Sequence, residues 1–166
     1  PSVPRSLPTL ITIASDRVRL PNGRETTMDV VRHVPSVILI PMPDPEHVVL
    51  VRQYRYVIDR WIWELPAGNT EPGEDPDVAA RRECAEETGQ MPSRVERLGS
   101  FYPTPGYCDE QMIFYKLTGL TPAPDARLDP DEVLEPRVMP VSDARRLVAD
   151  GEIVDMKTAL GLTLIR

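Results

Sequence analysis

The stretch that decides the fold is residues 68–90, which read GNTEPGEDPDVAARRECAEETGQ. Its first part has turn chemistry, because the Pro-Gly pair supplies a preset φ followed by a residue that tolerates φ > 0. Its second part carries both helix boundaries. Asp75 is placed as an N-cap, Pro76 stands at the first helical position, and Gly89 suits a left-handed C-cap. The pattern predicts a shaped loop followed by a helix over Pro76–Thr88.

Three glutamates share one face of this predicted helix. At about 100° per residue, Glu83, Glu86 and Glu87 fall within an arc of roughly 100°. A solvated acidic face is the ordinary explanation, but such a face usually pairs its charges, and only Arg82 with Glu86 offers an i,i+4 pair here. Carboxylates clustered beside a shaped loop also suit a hard, oxygen-seeking dication such as Mg²⁺ or Mn²⁺.

The stretch resembles the Nudix box, a pattern of glycines, glutamates and one arginine at fixed spacings. The matching residues are Gly68, Glu74, Arg82, Glu83, Glu86, Glu87 and Gly89. The sequence departs from the box at Cys84 and Gln90, where an apolar residue is usual, so the departures bear on packing and not on a charged position. The resemblance implies an α/β (α+β) fold, with a mixed sheet sandwiched between helices, and a pyrophosphohydrolase activity.

The rest of the chain fits a mixed sheet with two or three helices. The wholly apolar runs 37–40 and 48–51 predict strands buried on both faces. Further strands are expected over residues 10–20, 25–34, 61–65, 95–102, 111–120 and 133–138, the first two joined as an antiparallel hairpin by a turn at residues 21–23. Ser142 is expected to cap a helix that ends near Gly151, and residues 155–164 to form another.

The domain organisation follows from this pattern. Residues 1–34 are interpreted as an N-terminal arm and hairpin, and residues 35–166 as the Nudix catalytic domain. The hairpin is difficult to place within one compact sheet, and the resemblance implies that it packs at the interface of a homodimer.

Composition narrows the class of partner and the compartment. The net charge of −7 argues against a nucleic-acid or anionic-membrane surface, whereas a small anionic substrate stays open because a bound dication reverses the local sign. Cys84 and Cys108 are the only cysteines, and Cys84 lies inside the predicted helix, so a packed thiol in a reducing compartment is expected. No apolar run of 18 residues and no signal segment is present, which predicts a cytoplasmic protein.

Stretches outside the box resemble the ADP-ribose pyrophosphatase group, which hydrolyses nucleoside diphosphate sugars. They are residues 51–55 (VRQYR), 64–68 (ELPAG), 103–110 (PTPGYCDE) and 151–158 (GEIVDMKT). The resemblance implies hydrolysis of ADP-ribose to AMP and ribose 5-phosphate. Two alternatives stay open: a Nudix hydrolase for a GDP- or UDP-sugar, a dinucleotide or an oxidised nucleotide, and a non-catalytic module that senses a nucleotide sugar. Such modules typically lose box carboxylates, all of which are present here.

The resemblance assigns a metal site and a base. Glu83 and Glu87, with Glu86 and the backbone carbonyl of Ala67, are expected to hold Mg²⁺, with Mn²⁺ as an alternative. Glu86 and Arg82 are also grouped with the catalytic residues, and Arg82 is expected to brace the loop together with Glu74. The general base is placed at Glu132 in a late acidic loop, with Asp131 and Glu135 as alternatives.

Three residues are expected to bind substrate. Arg52 and Arg55 could each present a planar guanidinium to a diphosphate. Their opposite strand parity means that both cannot face one site on a regular strand, and Arg55 is preferred because it is nearer the loop. Glu110, which follows a Pro/Gly-containing loop, is expected to complete the substrate site.

Overall fold

The computed structural model describes residues 10–126 and 133–165. The elements in chain order are β1 (Ile11–Arg19), β2 (Glu25–His33), β3 (Ser36–Pro41), β4 (His47–Arg55), β5 (Arg60–Glu64), β6 (Ala67–Asn69), α1 (Pro76–Thr88), β7 (Gln90–Phe101), β8 (Met112–Pro122), β9 (Leu134–Pro140), α2 (Val141–Ala149) and α3 (Met156–Leu164). A short 3₁₀ turn, Tyr56–Ile58, joins β4 to β5.

The strands form two sheets and a separate hairpin. The larger sheet has the order β6-β3-β8-β7 and is mixed, because β3 runs parallel to β8 and antiparallel to β6. The smaller sheet has the order β5-β4-β9 and is antiparallel throughout. The predicted mixed α/β architecture is confirmed, with its strands divided between two sheets.

Strand β3 is buried on both faces, as its apolar run predicts. Ile38 and Ile40 pack into a core with β4, α2 and α3, whereas Val37 and Leu39 point to the opposite face and pack beneath α1. Successive side chains of a strand alternate between faces, so one strand serves both cores. The helices therefore lie on both sides of the larger sheet, with α1 on one side and α2 and α3 on the other.

The N-terminal hairpin is a sheet of its own. Strands β1 and β2 pair in one register from Ile11 opposite His33 to Arg19 opposite Glu25. Gly23 closes the turn with a φ of 83°, which a residue with a side chain rarely adopts. The base of β2 is fixed to the loop before β8, since the Val31 N–H donates to the Tyr107 carbonyl at 2.7 Å. The predicted hairpin is thus confirmed and is anchored at one end.

Three boundaries differ from the sequence-based prediction. Strand β7 begins at Gln90, directly after α1, and contains Pro92; the order of the sheet puts β7 at an edge, where proline is tolerated. Residues 67–69, expected as loop, pair with β3 as strand β6. Ser142 does not cap α2: the helix begins at Val141, its N-cap is Pro140, and no side chain among the described residues caps it; the Val141 N–H donates to the Glu46 carbonyl at 2.8 Å instead.

Two further observations concern compartment and membrane. Cys84 is buried on the face of α1 that packs on the larger sheet, Cys108 is half-buried, and both are free thiols. Burial raises the pKa of the Cys84 thiol to about 11, which agrees with the expected packed thiol. Among the helices within residues 10–126 and 133–165, none is both long enough and apolar enough to cross a membrane.

Candidate active site

Helix α1 has the boundaries that its sequence predicts. The Asp75 side chain accepts a hydrogen bond from the Asp77 backbone N–H at 2.8 Å, and Pro76 occupies the first turn. Gly89 ends the helix with a φ of 68°, and its N–H donates to the Ala85 carbonyl at 2.9 Å. These caps set where α1 begins and ends. Burial of Ala79, Ala80 and Cys84 sets which face of the helix packs on the sheet, and hence where its glutamates lie.

Arg82 connects α1 to the preceding loop. Its Nε and Nη2 both donate to the Glu74 carboxylate at 3.0 Å, and Nη2 also donates to the Asn69 carbonyl at 3.0 Å. Glu74 in turn accepts from the Glu71 N–H at 2.9 Å. The Arg82 hydrogen bonds lower the pKa of Glu74, and Glu74 raises that of Arg82. The Arg82 guanidinium therefore connects the loop to α1. This arrangement is consistent with the bracing role expected for Arg82 and Glu74.

The same guanidinium gathers two of the predicted metal ligands. Its Nη1 donates to Glu83 at 2.7 Å and to Glu86 at 3.0 Å. We call Arg82 with Glu74, Glu83 and Glu86 the Arg82 cluster; it contains three carboxylates and one cation. Within the described ranges, no three His, Cys, Asp or Glu side chains converge as metal ligands would. The guanidinium lies where it partly offsets the repulsion between these carboxylates.

Strand β6 lies against the other predicted ligands. The Ala67 N–H donates to Glu87 at 3.2 Å, and Glu87 is only 4% exposed. A Cβ at position 68 would lie 1.9 Å from the Cδ of Glu83, so only glycine permits the carboxylate to approach the strand this closely. Glu83 and Glu87 therefore both contact β6, Glu83 at Gly68 and Glu87 at the neighbouring Ala67. Carboxylates and backbone carbonyls are the oxygen donors that a hard dication prefers, so the chemistry of these donors suits Mg²⁺ or Mn²⁺, although the described side chains are not gathered around one point.

A cleft of about 890 Å³ opens beside these residues. Its lining comes from the end of β2, from β3, β4, β5 and β6, from the loop before α1 and α1 itself, and from the starts of β8 and α3. The charged groups in the lining include Arg55, Glu64, Glu83, Glu110, Asp155 and Lys157. Of the three glutamates predicted from α1, Glu83 lines the cleft, whereas Glu86 and Glu87 are not in its lining; Glu86 contacts Arg82 and Glu87 contacts β6.

The two candidate arginines of β4 lie on opposite faces of the smaller sheet, as their parity predicts. Arg55 lines the cleft, and its side chain is 43% exposed. Arg52 lies on the other face, where its guanidinium stacks over the Trp61 ring at 5.5 Å and approaches Glu135 at 3.9 Å. The structure therefore brings Arg55 to the cleft with Glu83 and Ala67, and does not bring Arg52 there.

The remaining predicted residues divide between the cleft and other regions. Glu110 lines the cleft and accepts a hydrogen bond from the Ser36 hydroxyl. Glu132 and its alternative Asp131 lie outside the described residues. Glu135, the other alternative, lies exposed on β9 and paired with Arg52, on the face away from the cleft.

Sequence reasoning missed a buried group of charges beside the cleft. Glu64 is 1% exposed and accepts from Arg55 Nε at 2.6 Å, from Arg55 Nη2 at 2.7 Å and from the Lys157 ammonium. Lys157, 8% exposed, also bonds to Asp155 at 3.0 Å. We call these four residues the Glu64 cluster. The signal in the sequence was a charged residue ending the apolar stretch 61–65, and a lysine at the start of a helix.

The electrostatics of Glu64 follow from these contacts. Burial raises the pKa of Glu64, but the hydrogen bonds from Arg55 and the charge of Lys157 outweigh burial and hold the pKa below its usual range. The hydrogen bond to Glu64 in turn raises the pKa of Arg55. Glu64 is thus an ionised carboxylate inside the protein, stabilised by two cations.

Comparison with known proteins agrees with this geometry. A family model described as the NUDIX domain matches residues 32–157. The chain is 33% identical to the ADP-ribose pyrophosphatase of Bacillus subtilis over 95% of this chain and 85% of that protein. It is 35% identical to the methanol dehydrogenase activator of Bacillus methanolicus, with the same coverage of both proteins.

The fold has a solved counterpart. A crystal structure of an ADP compounds hydrolase superposes with a TM-score of 0.81 and 25% sequence identity, covering 100% of this chain and 89% of that one. The box residues, the fold and these relatives agree with one another. The chain therefore belongs to the Nudix family, as a pyrophosphohydrolase similar to ADP-ribose pyrophosphatases.

Proposed function

We propose that this enzyme hydrolyses the diphosphate bond of a nucleoside diphosphate sugar, with ADP-ribose, giving AMP and ribose 5-phosphate, as the leading substrate. The observation that carries the proposal is that Arg55 and Glu83 both line one cleft. Arg55 offers a guanidinium of the shape that binds phosphate oxygens, and Glu83 belongs to the carboxylate-rich side where a dication would bind. Similarity to an ADP-ribose pyrophosphatase supports the choice of substrate.

Glu83, Glu86 and Glu87, with the carbonyl of Ala67, would hold the metal, with Mg²⁺ preferred and Mn²⁺ as the alternative. When bound, such a dication supplies neutralisation of the diphosphate charge and acidifies the water that it contacts. Arg82 keeps the loop and the carboxylates of α1 in place through Glu74 and Asn69. Its role is to position these groups, because its hydrogen bonds are already directed to the protein.

The other residues act directly on substrate and water. Arg55 binds an oxygen of the diphosphate and orients the phosphorus for in-line attack. Glu110 accepts a hydrogen bond from a sugar hydroxyl, since a carboxylate on the cleft wall is a good acceptor for that group. Glu132, from the acidic stretch of sequence that precedes β9, removes the proton of the attacking water. Arg52 is left out of the substrate site because Arg55 is the β4 arginine in the cleft lining.

We further propose that residues 35–166 carry the catalytic site and that the hairpin within residues 1–34 packs against a second subunit. The support is the apolar surface of β1, where Ile11 is 49% exposed and Ile13 is 80% exposed. A cytoplasmic location is consistent with the two free thiols. Sedimentation of the wild-type protein should give the mass of a dimer; a monomer at micromolar concentration would contradict this part of the proposal.

A substrate panel tests the proposed activity. The purified protein is incubated with Mg²⁺ and, separately, with ADP-ribose, a GDP-sugar, a UDP-sugar, a dinucleotide and an oxidised nucleoside triphosphate. We expect AMP release from ADP-ribose to have the highest kcat/KM, and no release without a dication. A higher kcat/KM for another member would reassign the substrate. Saturable binding without any turnover would favour the sensing module.

A further inference from the structure

The Glu64 cluster is a charge-balanced group buried against the substrate cleft. It contains two cations, Arg55 and Lys157, and two carboxylates, Glu64 and Asp155. Asp155 also accepts from the Thr158 hydroxyl at 2.6 Å, and that hydroxyl in turn accepts from the Leu65 N–H at 2.7 Å. A continuous chain of hydrogen bonds therefore joins the start of α3 to the end of β5.

A purely structural role explains this cluster poorly. Taking charges out of water is costly, and apolar residues of similar volume commonly stabilise a protein as well as a buried ion pair does. A methionine at position 157 could fill the same space between α3 and β5 without a buried ammonium group. Three buried or half-buried charges, Glu64, Lys157 and Asp155, stand behind the partly exposed Arg55 at the wall of the cleft, which points to a requirement at the cleft itself.

Arg55 is the member of the cluster that reaches the cleft. Its hydrogen bonds to Glu64 use Nε and Nη2, and within the described part of the chain Nη1 makes none. A bidentate pair fixes the plane of a guanidinium, which leaves one edge in a set orientation. Glu64 can hold this orientation only while its own carboxylate is fixed, and Lys157 bonds to the same Oε2 that accepts from Arg55 Nη2.

We propose that Lys157 is a positioning residue that acts through Glu64 to hold the Arg55 guanidinium in the orientation that receives a diphosphate oxygen. Asp155 holds the Lys157 ammonium in place and offsets its positive charge. This inference rests on the proposed function for the identity of the group that Arg55 binds. The coupling from Lys157 to Arg55 itself is a property of the free protein.

The coupling is tested without substrate by NMR of the arginine Nε–H groups in metal-free protein. The Arg55 resonance is assigned from its loss in Arg55→Lys, and the Arg82 resonance serves as an internal reference because its Nε–H is bonded to Glu74. We expect Lys157→Met to shift the Arg55 signal toward that of a free arginine and to leave Arg82 unchanged. Lys116→Met, which removes the only other lysine, should change neither. An unmoved Arg55 signal in Lys157→Met would overturn the proposal.

Kinetics test whether this coupling reaches the substrate. Lys157→Met should raise KM for ADP-ribose roughly tenfold in the wild-type background and less than about twofold in an Arg55→Ala background, because residues that act as one unit are not additive. An equal rise in KM in both backgrounds would indicate a general structural role for Lys157 and contradict the proposal.

Asp155→Asn provides a second variant if Lys157→Met does not fold. Asparagine can keep the N-cap of α3 while the negative charge is removed. We expect the Arg55 signal to move in the same direction, by a smaller amount, and KM to rise; no change in either would refute the coupling. If wild-type protein does not hydrolyse ADP-ribose, the proposed substrate fails, while the NMR result still decides whether Lys157 holds Arg55.

Discussion

The Arg82 cluster and the Glu64 cluster border the same cleft but balance their charges in opposite ways. The Arg82 cluster sets three carboxylates around one guanidinium, whereas the Glu64 cluster has two cations and two carboxylates. A surplus of carboxylates attracts an added cation, while a balanced buried group is complete without one. One side of the cleft is therefore suited to bind a metal ion, and the other to fix the orientation of the Arg55 guanidinium.

The largest expected effect comes from unbalancing the Glu64 cluster. Glu64→Gln leaves Arg55 and Lys157 without their shared counter-ion, and we expect a loss of about 3 kcal/mol in the free energy of unfolding near pH 7. Because the pKa of Glu64 is depressed in the folded state, its stabilising contribution is present above the unfolded pKa of about 4.3 and is lost as pH falls through the folded value. Urea unfolding of wild type and Glu64→Gln from pH 7 to pH 3 measures both the loss of stability near pH 7 and its dependence on pH.

The pH dependence supplies the control for this prediction. The difference in stability between wild type and Glu64→Gln should narrow as pH falls from about 4.3 through the depressed folded-state pKa, because Glu64 is protonated first in the unfolded chain and only at lower pH in the folded protein. A difference that stays constant down to pH 3 would show that the ionised state of Glu64 does not stabilise the fold.

Removing one charge from the metal side should affect turnover and spare the fold. Glu87→Gln keeps an oxygen that can accept from the Ala67 N–H, so the packing of α1 on β6 should survive. We expect kcat to fall roughly 10²–10³-fold at saturating Mg²⁺, the order seen when one preorganised electrostatic group is removed. Thermal unfolding without metal should match wild type or rise slightly, because like charges at 83 and 87 no longer repel. Wild-type turnover by this variant would refute the metal assignment.

The close approach of β6 to Glu83 can be tested at Gly68. Gly68→Ala places a Cβ 1.9 Å from Glu83 Cδ, so the carboxylate must move away from the strand. We expect kcat/KM to fall about tenfold or more, with a stability loss of roughly 1–3 kcal/mol from overpacking. Gly106→Ala is the matched control, because its added Cβ would meet nothing within 4 Å. Equal activities of the two variants would show that the position of Glu83 is unimportant.

The smallest effect separates the two arginines of β4. Arg55→Ala should raise KM for the substrate by roughly tenfold or more, as expected for losing hydrogen bonds between charged groups. Arg52→Ala removes a half-exposed cation–π contact with Trp61, which contributes about 0.5–1 kcal/mol to stability, and should leave KM unchanged. The reverse order of KM effects would transfer diphosphate binding to Arg52.

How far the sequence predicted the site varies with how local the contacts are. The caps of α1 involve residues near one another in sequence, and their spacing was sufficient to predict them. The bracing of the loop by Arg82 and Glu74 is equally local, and it was expected from the family resemblance. Strand parity correctly separated Arg52 from Arg55. The Ser142 cap was wrong because packing set the start of α2 at Val141, and strand β6 was missed because its pairing with β3 joins distant segments.

The Glu64 cluster shows the same limit more strongly. Glu64 and Lys157 are 93 residues apart in sequence, and neither carries a local signal that names its partner. Their pairing exists only because α3 packs beside β5. The sequence placed both residues within stretches typical of the family, but it did not predict that they meet.

By itself the sequence determined the helix α1, its three glutamates on one face, the loop in front of it and the family to which these belong. Each of these depends on spacing within a few turns of chain, where helix geometry and capping act directly. Only the tertiary structure decided that Arg55 reaches the cleft already held by Glu64, with Lys157 behind it. The physical reason is that a buried charge takes its state from whichever groups the fold brings against it, and those groups come from distant parts of the chain.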